Sequence, residues 1–237
     1  MRTNRLAILG LSLGIAACGG GGGGGSHRSP VFPIAFNASA FSGHVIDNPF
    51  FPLPVSKVWT YRKTTPAGLE EDVVTVTNQT KTILGVPCVV VTQRFTLAGA
   101  LVEATLDWYA QDASGNVWYM GEDTKEYVNN VVVSTEGSWE AGVRGAQAGI
   151  VMLATPVVGT VYSQEFLEEV AEDFAEIVGL NDSVTVPVST FTGCVHTRDT
   201  TPLEPAKIEQ KYYARGVGTV LEIATDGSRL ELVGVTP

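Results

Sequence analysis

The stretch Leu101-Val-Glu-Ala-Thr-Leu-Asp-Trp-Tyr-Ala-Gln-Asp-Ala-Ser-Gly-Asn-Val-Trp-Tyr-Met120 decides the fold. Leu101–Ala110 and Asn116–Met120 are dense in β-branched and aromatic side chains, and Asp112-Ala-Ser-Gly115 between them is a turn signal. Two such runs around a glycine-containing turn read as an antiparallel hairpin. The flanks carry the same pattern. Upstream, Lys57–Lys63 sets Trp59 and Tyr61 against Val58, Thr60 and Arg62; Asp72–Thr80 alternates through its valines and threonines; Pro87–Thr96 holds Val89-Val-Val91. Downstream, strands are expected at Ser183–Pro187, Phe191–Arg198, Ile208–Ala214, Thr219–Ala224 and Arg229–Val235. Turn signals at Pro66-Ala-Gly68, Gly85, Ala98-Gly99 and Asn129-Asn130 fall between the runs. Short strands punctuated this regularly predict a mainly β domain built as an antiparallel meander.

Two stretches break the pattern. Gly137–Gly149 is punctuated by Gly142 and Gly145 around Trp139 and reads as a long loop. In residues 160–180, Phe166, Val170, Phe174 and Ile177 stand at helical spacing beside Glu165, Glu169, Glu172 and Glu176. One short helix with a solvated acidic face is expected there, against the alternative of Val161–Phe166 and Phe174–Leu180 pairing as strands. A faint internal repeat links Gly85-Val-Pro-Cys88 and Trp108-Tyr-Ala110 to Gly193-Cys194 and Tyr212-Tyr-Ala214, as two similar meanders would.

The amino terminus reads as an address. Arg2 and Arg5 precede the apolar run Leu6–Ile15, which is too short to span a bilayer, and Ala16-Ala17 stand before Cys18. This resembles the lipobox of bacterial lipoproteins, which implies a signal peptide over 1–17 and lipidation of Cys18. Gly19–Gly25 is an unbroken glycine run, a flexible tether. Residues 18–47 are thus expected to be lipidated cysteine, tether and linker, with a first short strand at Val31–Phe36, and 48–237 a single β domain. Gly19 in place of Asp implies the outer membrane in a Gram-negative cell. The string Gly10-Leu-Ser-Leu-Gly14 matches a hydrolase elbow but lies within the signal and is removed with it.

The 237 residues carry 15 Lys+Arg against 25 Asp+Glu, a net charge of −10. Removing 1–17 takes away two arginines and leaves −12. That balance argues against a nucleic-acid partner and against lying flat on anionic lipid.

Asn48-Pro-Phe-Phe-Pro-Leu53 followed by Trp59-Thr-Tyr61 resembles the start of a group of uncharacterised bacterial lipoproteins and secreted proteins. Asp107-Trp-Tyr-Ala-Gln-Asp112, Gly115–Thr124 and Lys211-Tyr-Tyr-Ala-Arg-Gly-Val-Gly218 are similar to theirs, and the likeness covers about residues 46–225. The group commonly has Pro where this chain has Arg215. The resemblance implies no activity. More distantly, the opening and closing meanders resemble half-barrel lipoproteins of the LolA type, in which a curved sheet surrounds an apolar cavity that carries lipids or lipoproteins. The expected fold is therefore a curved antiparallel sheet or half-barrel with at most one or two short helices.

Candidate chemistry is sparse. Asp107 and Glu122 flank an aromatic hairpin and are the candidate catalytic pair for general acid–base work on a sugar. Trp108, Tyr109, Trp118 and Tyr119 are the candidate ligand-binding aromatics; the competing reading makes them core. Asp112 is a candidate calcium ligand, and Glu169 and Asp173 belong to an acidic run that would draw a cation, yet no metal-ligand spacing supports a metal site. Cys88 and Cys194 sit at equivalent places in the two meanders and are the candidate disulfide, with two buried free thiols as the alternative. His196 lies two residues from Cys194, on the same strand face, which is geometry and not catalysis. No cofactor motif is present.

The sequence therefore leads to a membrane-anchored, extracytoplasmic lipoprotein of the cell envelope. It binds an apolar ligand, such as a lipid, or an envelope partner. The alternatives are a hydrolase using paired carboxylates in an aromatic cleft and a structural envelope protein. The balance leans away from an enzyme.

Overall fold

Tight turns set the architecture. A computed structural model describes residues 29–236 apart from Ser42 and His44. The signal, Cys18 and the glycine tether lie outside the described residues. Strands β1 (Val58–Thr65), β2 (Gly68–Ile83), β3 (Val86–Leu97), β4 (Ala100–Gln111), β5 (Val117–Val128) and β6 (Val131–Ser134) follow one another as hairpins. Three of the links are two-residue turns with both residues left-handed: Leu84-Gly85, Ala98-Gly99 and Asn129-Asn130. That is the turn whose twist matches paired strands. Then come β7 (Trp139–Glu140), β8 (Gln147–Met152), β9 (Val161–Ser163), β10 (Glu165–Phe166), β11 (Phe174–Val186), β12 (Ser189–Thr200), β13 (Ile208–Ala214), β14 (Gly218–Ile223) and β15 (Arg229–Thr236).

All fifteen strands belong to one sheet, with every pairing antiparallel. The order runs β10-β8-β5-β4-β3-β2-β1-β15-β14-β13-β12-β11-β9, with β6 and β7 also on β5. The hydrogen-bonded path is open, as the curved-sheet expectation requires. Its two ends are chain neighbours all the same: only Gln164 separates β9 from β10. Gly149 on β8 permits that close approach, because a Cβ there would lie 2.2 Å from the Gln164 carbonyl carbon. The one helical element among the described residues is a 3-10 turn, Ala38–Ala40, capped by Asn37. No helix among them is long and apolar enough to cross a membrane.

The helix expected within 160–180 is absent. Glu169 takes a left-handed φ of 60°, Leu167 bridges to Ala171, and the chain turns back so that β11 pairs with β9. Burial explains the failure. Glu165, Glu172 and Asp173 are buried and only Glu168 and Glu169 are exposed, so the acids do not form a solvated face. The loop expected at Gly137–Gly149 likewise contributes β7 and the start of β8, with Trp139 buried.

The buried face changes character along its strands. On β1, Trp59, Tyr61 and Lys63 are buried in alternation, opposite Val74, Asp72 and Glu70 of β2. One end is thus apolar and the other ionic. The segment Asn48–Leu53 covers the apolar end. Asn48 Nδ2 donates to the carbonyls of Gly115 (2.9 Å) and Leu153 (3.2 Å), which seats Phe51 5.5 Å from Tyr109. Earlier residues pack here too. No strand forms at Val31–Phe36; instead Val31 exchanges hydrogen bonds with Ser163, and Phe36 meets Trp118 edge-on at 5.5 Å. Each buried aromatic or aliphatic side chain contributes roughly 1.5–3 kcal/mol.

Candidate functional site

The ionic end of the buried face holds the candidate pair. Asp107 of β4 and Glu122 of β5 are register partners, and both are buried. The β4–β5 pairing shifts by one residue beside Gly121, whose φ is 136° and whose absent Cβ leaves room for the Trp139 carbonyl oxygen; an added one would lie 2.4 Å from it. The bulge brings Tyr119 next to Asp107, and the phenol donates to Asp107 Oδ1 at 2.7 Å. Thr124 donates to Glu122 Oε2 at 3.1 Å and shares a 2.7 Å bond with Thr105.

The pair is part of a wider layer. Lys63 pairs with Glu70 at 2.8 Å, and Gln93 donates to Asp72 at 2.5 Å. Across the sheet Lys211 pairs with Asp199 at 3.1 Å, Lys207 with Glu209 at 3.2 Å, and Trp139 Nε1 donates to Glu165 at 2.8 Å. Glu222, opposite Lys211, is buried and neither of its oxygens accepts a hydrogen bond. Burial penalises the charged form of a carboxylate. It pushes Asp107 up to about 7, against the lowering bond from Tyr119 and with the charge of Glu103 adding to the rise. Asp173 also reaches about 7 through burial, despite Lys207 and Lys211. Asp72, Glu165 and Glu222 rise well above the carboxylate range for the same first reason. Burial alone would lower Lys211, but Asp199, Glu222 and Glu209 reverse it and keep the ammonium charged. Within the layer Asp72, Asp107, Glu165, Asp173 and Glu222 are therefore pushed toward their protonated form, beside the ion pairs made by Lys63, Lys207 and Lys211.

The four aromatics do not make one platform. Tyr109 and Tyr119 stack at 4.9 Å on the buried face. Trp108 points the other way, with Lys81 Nζ 3.3 Å above its ring and Glu140 2.6 Å from that ammonium. Trp118 is fixed by Asp112, whose Oδ2 accepts from its Nε1 at 2.9 Å. Asp112 also accepts from the backbone of Ser114 and Asn116 and from Asn116 Nδ2, so its lone pairs organise the β4–β5 turn rather than a calcium ion. Glu169 stands exposed at its turn while Asp173 is buried, which separates those two candidates. Among the described residues no group of three or more His, Cys, Asp and Glu side chains is placed to hold a metal ion. Cys88 and Cys194 are both buried free thiols and form no disulfide. They lie on β3 and β12, with β2, β1, β15, β14 and β13 between them in the sheet, so equivalent positions in two meanders are not neighbouring ones. His196 stacks on Tyr212 at 4.2 Å, bonds to Gln210 at 2.6 Å and holds Nδ1 3.7 Å from Asp182.

Concave surface occurs at the apolar end. A gap of about 10 Å³ beside Trp59, Tyr61 and Leu53 has room for one water molecule at most. Outside it, Lys57, Val188, Phe191, Gly216, Val217 and Val235 line an open groove of about 270 Å³. Its walls come from the approach to β1, from β12 and β15, and from the β11–β12 and β13–β14 turns. Sequence reasoning missed it because no motif joins residues so far apart in the chain.

No protein-family model and no curated protein matches the chain. A solved "putative lipoprotein" from Parabacteroides distasonis ATCC 8503 aligns with 82% of this chain and 100% of its own, at 14% identity and a TM-score of 0.42. A likeness of that size carries no functional argument.

Proposed function

We propose that the chain is a lipid-anchored lipoprotein of the cell envelope whose β domain is a binding module working at its outer surface. The observation that carries this reading is the run from Arg2 through Leu6–Ile15 to Ala16-Ala17-Cys18, followed by Gly19–Gly25. A short apolar segment, small residues before a cysteine and a run of seven glycines form one consistent device for tethering a domain to a membrane. Several acyl chains hold where a single chain would exchange. The folded body supports surface binding over carriage inside the sheet: its buried face is filled by aromatic rings at one end and by acids and lysines at the other.

The hydrolase reading rests on Asp107 and Glu122 facing each other with Asp107 near neutrality. Against it, Asp107 is 0% and Glu122 3% exposed, so a saccharide has no approach to them.

The anchor is tested by fractionating cells that express the wild type and Cys18→Ala. The wild type is expected in membranes and to take up a metabolically supplied alkyne fatty acid. Cys18→Ala is expected to lose the label and leave the membrane fraction. A variant that stays bound and labelled overturns the reading.

A further inference from the structure

We propose that the groove beside Lys57 binds a medium-chain fatty carboxylate, its head on the Lys57 ammonium and its alkyl chain along Val188, Phe191, Val217 and Val235. The proposal rests on the reading of the domain as a surface-binding module and names the ligand class for it.

Three observations carry it. The first is shape and size. The groove holds about 270 Å³, close to the lower end of small-ligand sites at about 300 Å³. At about 30 Å³ for each water-sized group, that is room for roughly nine of them, the size of an eight-carbon acid. The second is the lining. Val188 stands exposed, and Phe191, Val217 and Val235 are half-buried, so an alkyl chain laid against them would remove apolar surface on both partners from water.

The third is charge. Among the described residues most basic side chains have an acid partner, as Arg62 has Glu71, Lys81 has Glu140 and Arg229 has Glu231, and those without one are Lys57, Arg94, Arg144 and Arg215. Lys57 has no ion-pair partner among the described residues, and it stands half-buried in the lining of the groove. Arg215, next to Gly216 of the lining, is occupied over the Phe50 ring at 4.6 Å. A carboxylate arriving at Lys57 gains a charge-assisted hydrogen bond that a neutral amphiphile of equal length lacks. A cation of similar shape is disfavoured by the same ammonium.

The test uses the mature chain from Cys18 onward, made without residues 1–17 so that it carries no lipid. Sodium octanoate and 1-octanol are titrated separately while valine methyl resonances are followed. Octanoate is expected to give saturable shifts at Val188, Val217 and Val235 and to bind at least tenfold more tightly than 1-octanol. Lys57→Gln is expected to abolish that preference and leave 1-octanol binding within twofold of the wild type. Lys57→Arg is expected to keep it. Unchanged valine resonances outside the groove report that each variant is folded. The proposal is overturned by the absence of saturable shifts at these valines, by equal affinity for the two ligands in the wild type, or by full octanoate affinity in Lys57→Gln. Since the titration needs no membrane, its failure beside intact Cys18-dependent anchoring removes the ligand and leaves the anchor standing.

Discussion

Tyr119 gives its phenolic hydrogen to Asp107 Oδ1 across 2.7 Å, at a point where neither side chain reaches solvent. The bond lowers the pKa of an acid that burial raises, so it restrains Asp107 near about 7. Tyr119→Phe should cost about 1–3 kcal/mol of stability, because it leaves a buried acceptor oxygen without its donor. It should also move the Asp107 titration upward. Urea unfolding measures the first effect, and carboxyl-carbon NMR the second; a downward movement would refute the assignment of the donor.

The pH dependence has a defined sign. Asp107 and Asp173 titrate near about 7 in the folded protein, and unfolded aspartates titrate near about 4. Between those values the folded chain holds protons that the unfolded chain has released. Stability from these groups is therefore full below about pH 4, declines as the pH rises and levels off above about 7. Thermal melts at pH 5.5 and 8 should show the higher Tm at 5.5. In Asp107→Asn the difference should narrow, since the asparagine amide has no proton to lose. An unchanged difference in that variant would exclude Asp107 as a contributor.

Lys211 is buried among acids, with Asp199 at 3.1 Å and Glu209 at 4.0 Å. Removing one member of such a group leaves charge without its counter-charge, at a cost of about 3–5 kcal/mol. Lys211→Met should unfold at correspondingly lower urea at pH 8. Part of the loss should return at pH 5, where Asp173, which burial holds near about 7 and which Lys211 lowers, takes up a proton. A variant as stable as the wild type at both pH values would show that the layer does not depend on this cation.

Gly121 allows the bulge that brings Tyr119 to Asp107. Gly121→Ala places a methyl group 2.4 Å from the Trp139 carbonyl oxygen at a backbone angle that suits glycine. A loss of at least about 2 kcal/mol is expected, read by denaturant unfolding. Gly145, which has open space at its Cβ position, is the control; Gly145→Ala carries only the smaller cost of its positive φ.

The hairpins were legible because their signals are local. Ala98-Gly99, Asn129-Asn130 and Asp112-Ala-Ser-Gly115 specify turns through a few adjacent residues, and the alternation beside them sets which side chains face inward. The Asn48–Leu53 stretch was visible as an entry segment for the same reason, although its role as a cover over Tyr109 depends on contacts that no local pattern encodes. The 160–180 region misled because helical spacing is a statement about apolar positions alone. Burial of Glu165 beside Trp139 comes from β5, β7 and β8, which approach from elsewhere in the chain. The carboxylate pair was legible in part: Asp107 and Glu122 do meet, but a cross-strand pairing seen in sequence cannot tell a wet cleft from a buried layer. Cys88 and Cys194 show the opposite limit: likeness of position within repeats leaves a disulfide and two buried thiols both open, and only the strand order between them decides for the thiols.

The place of β15 has a consequence for synthesis. The last strand of the chain lies in the middle of the sheet, hydrogen-bonded to β1 on one side and β14 on the other. The two meanders share that junction, and it cannot form until Arg229–Thr236 has been made. Contacts between such distant parts of a chain close slowly. The finished sheet thus waits for residues 229–236, and until they are in place β1 keeps one edge open to any other strand that can pair with it.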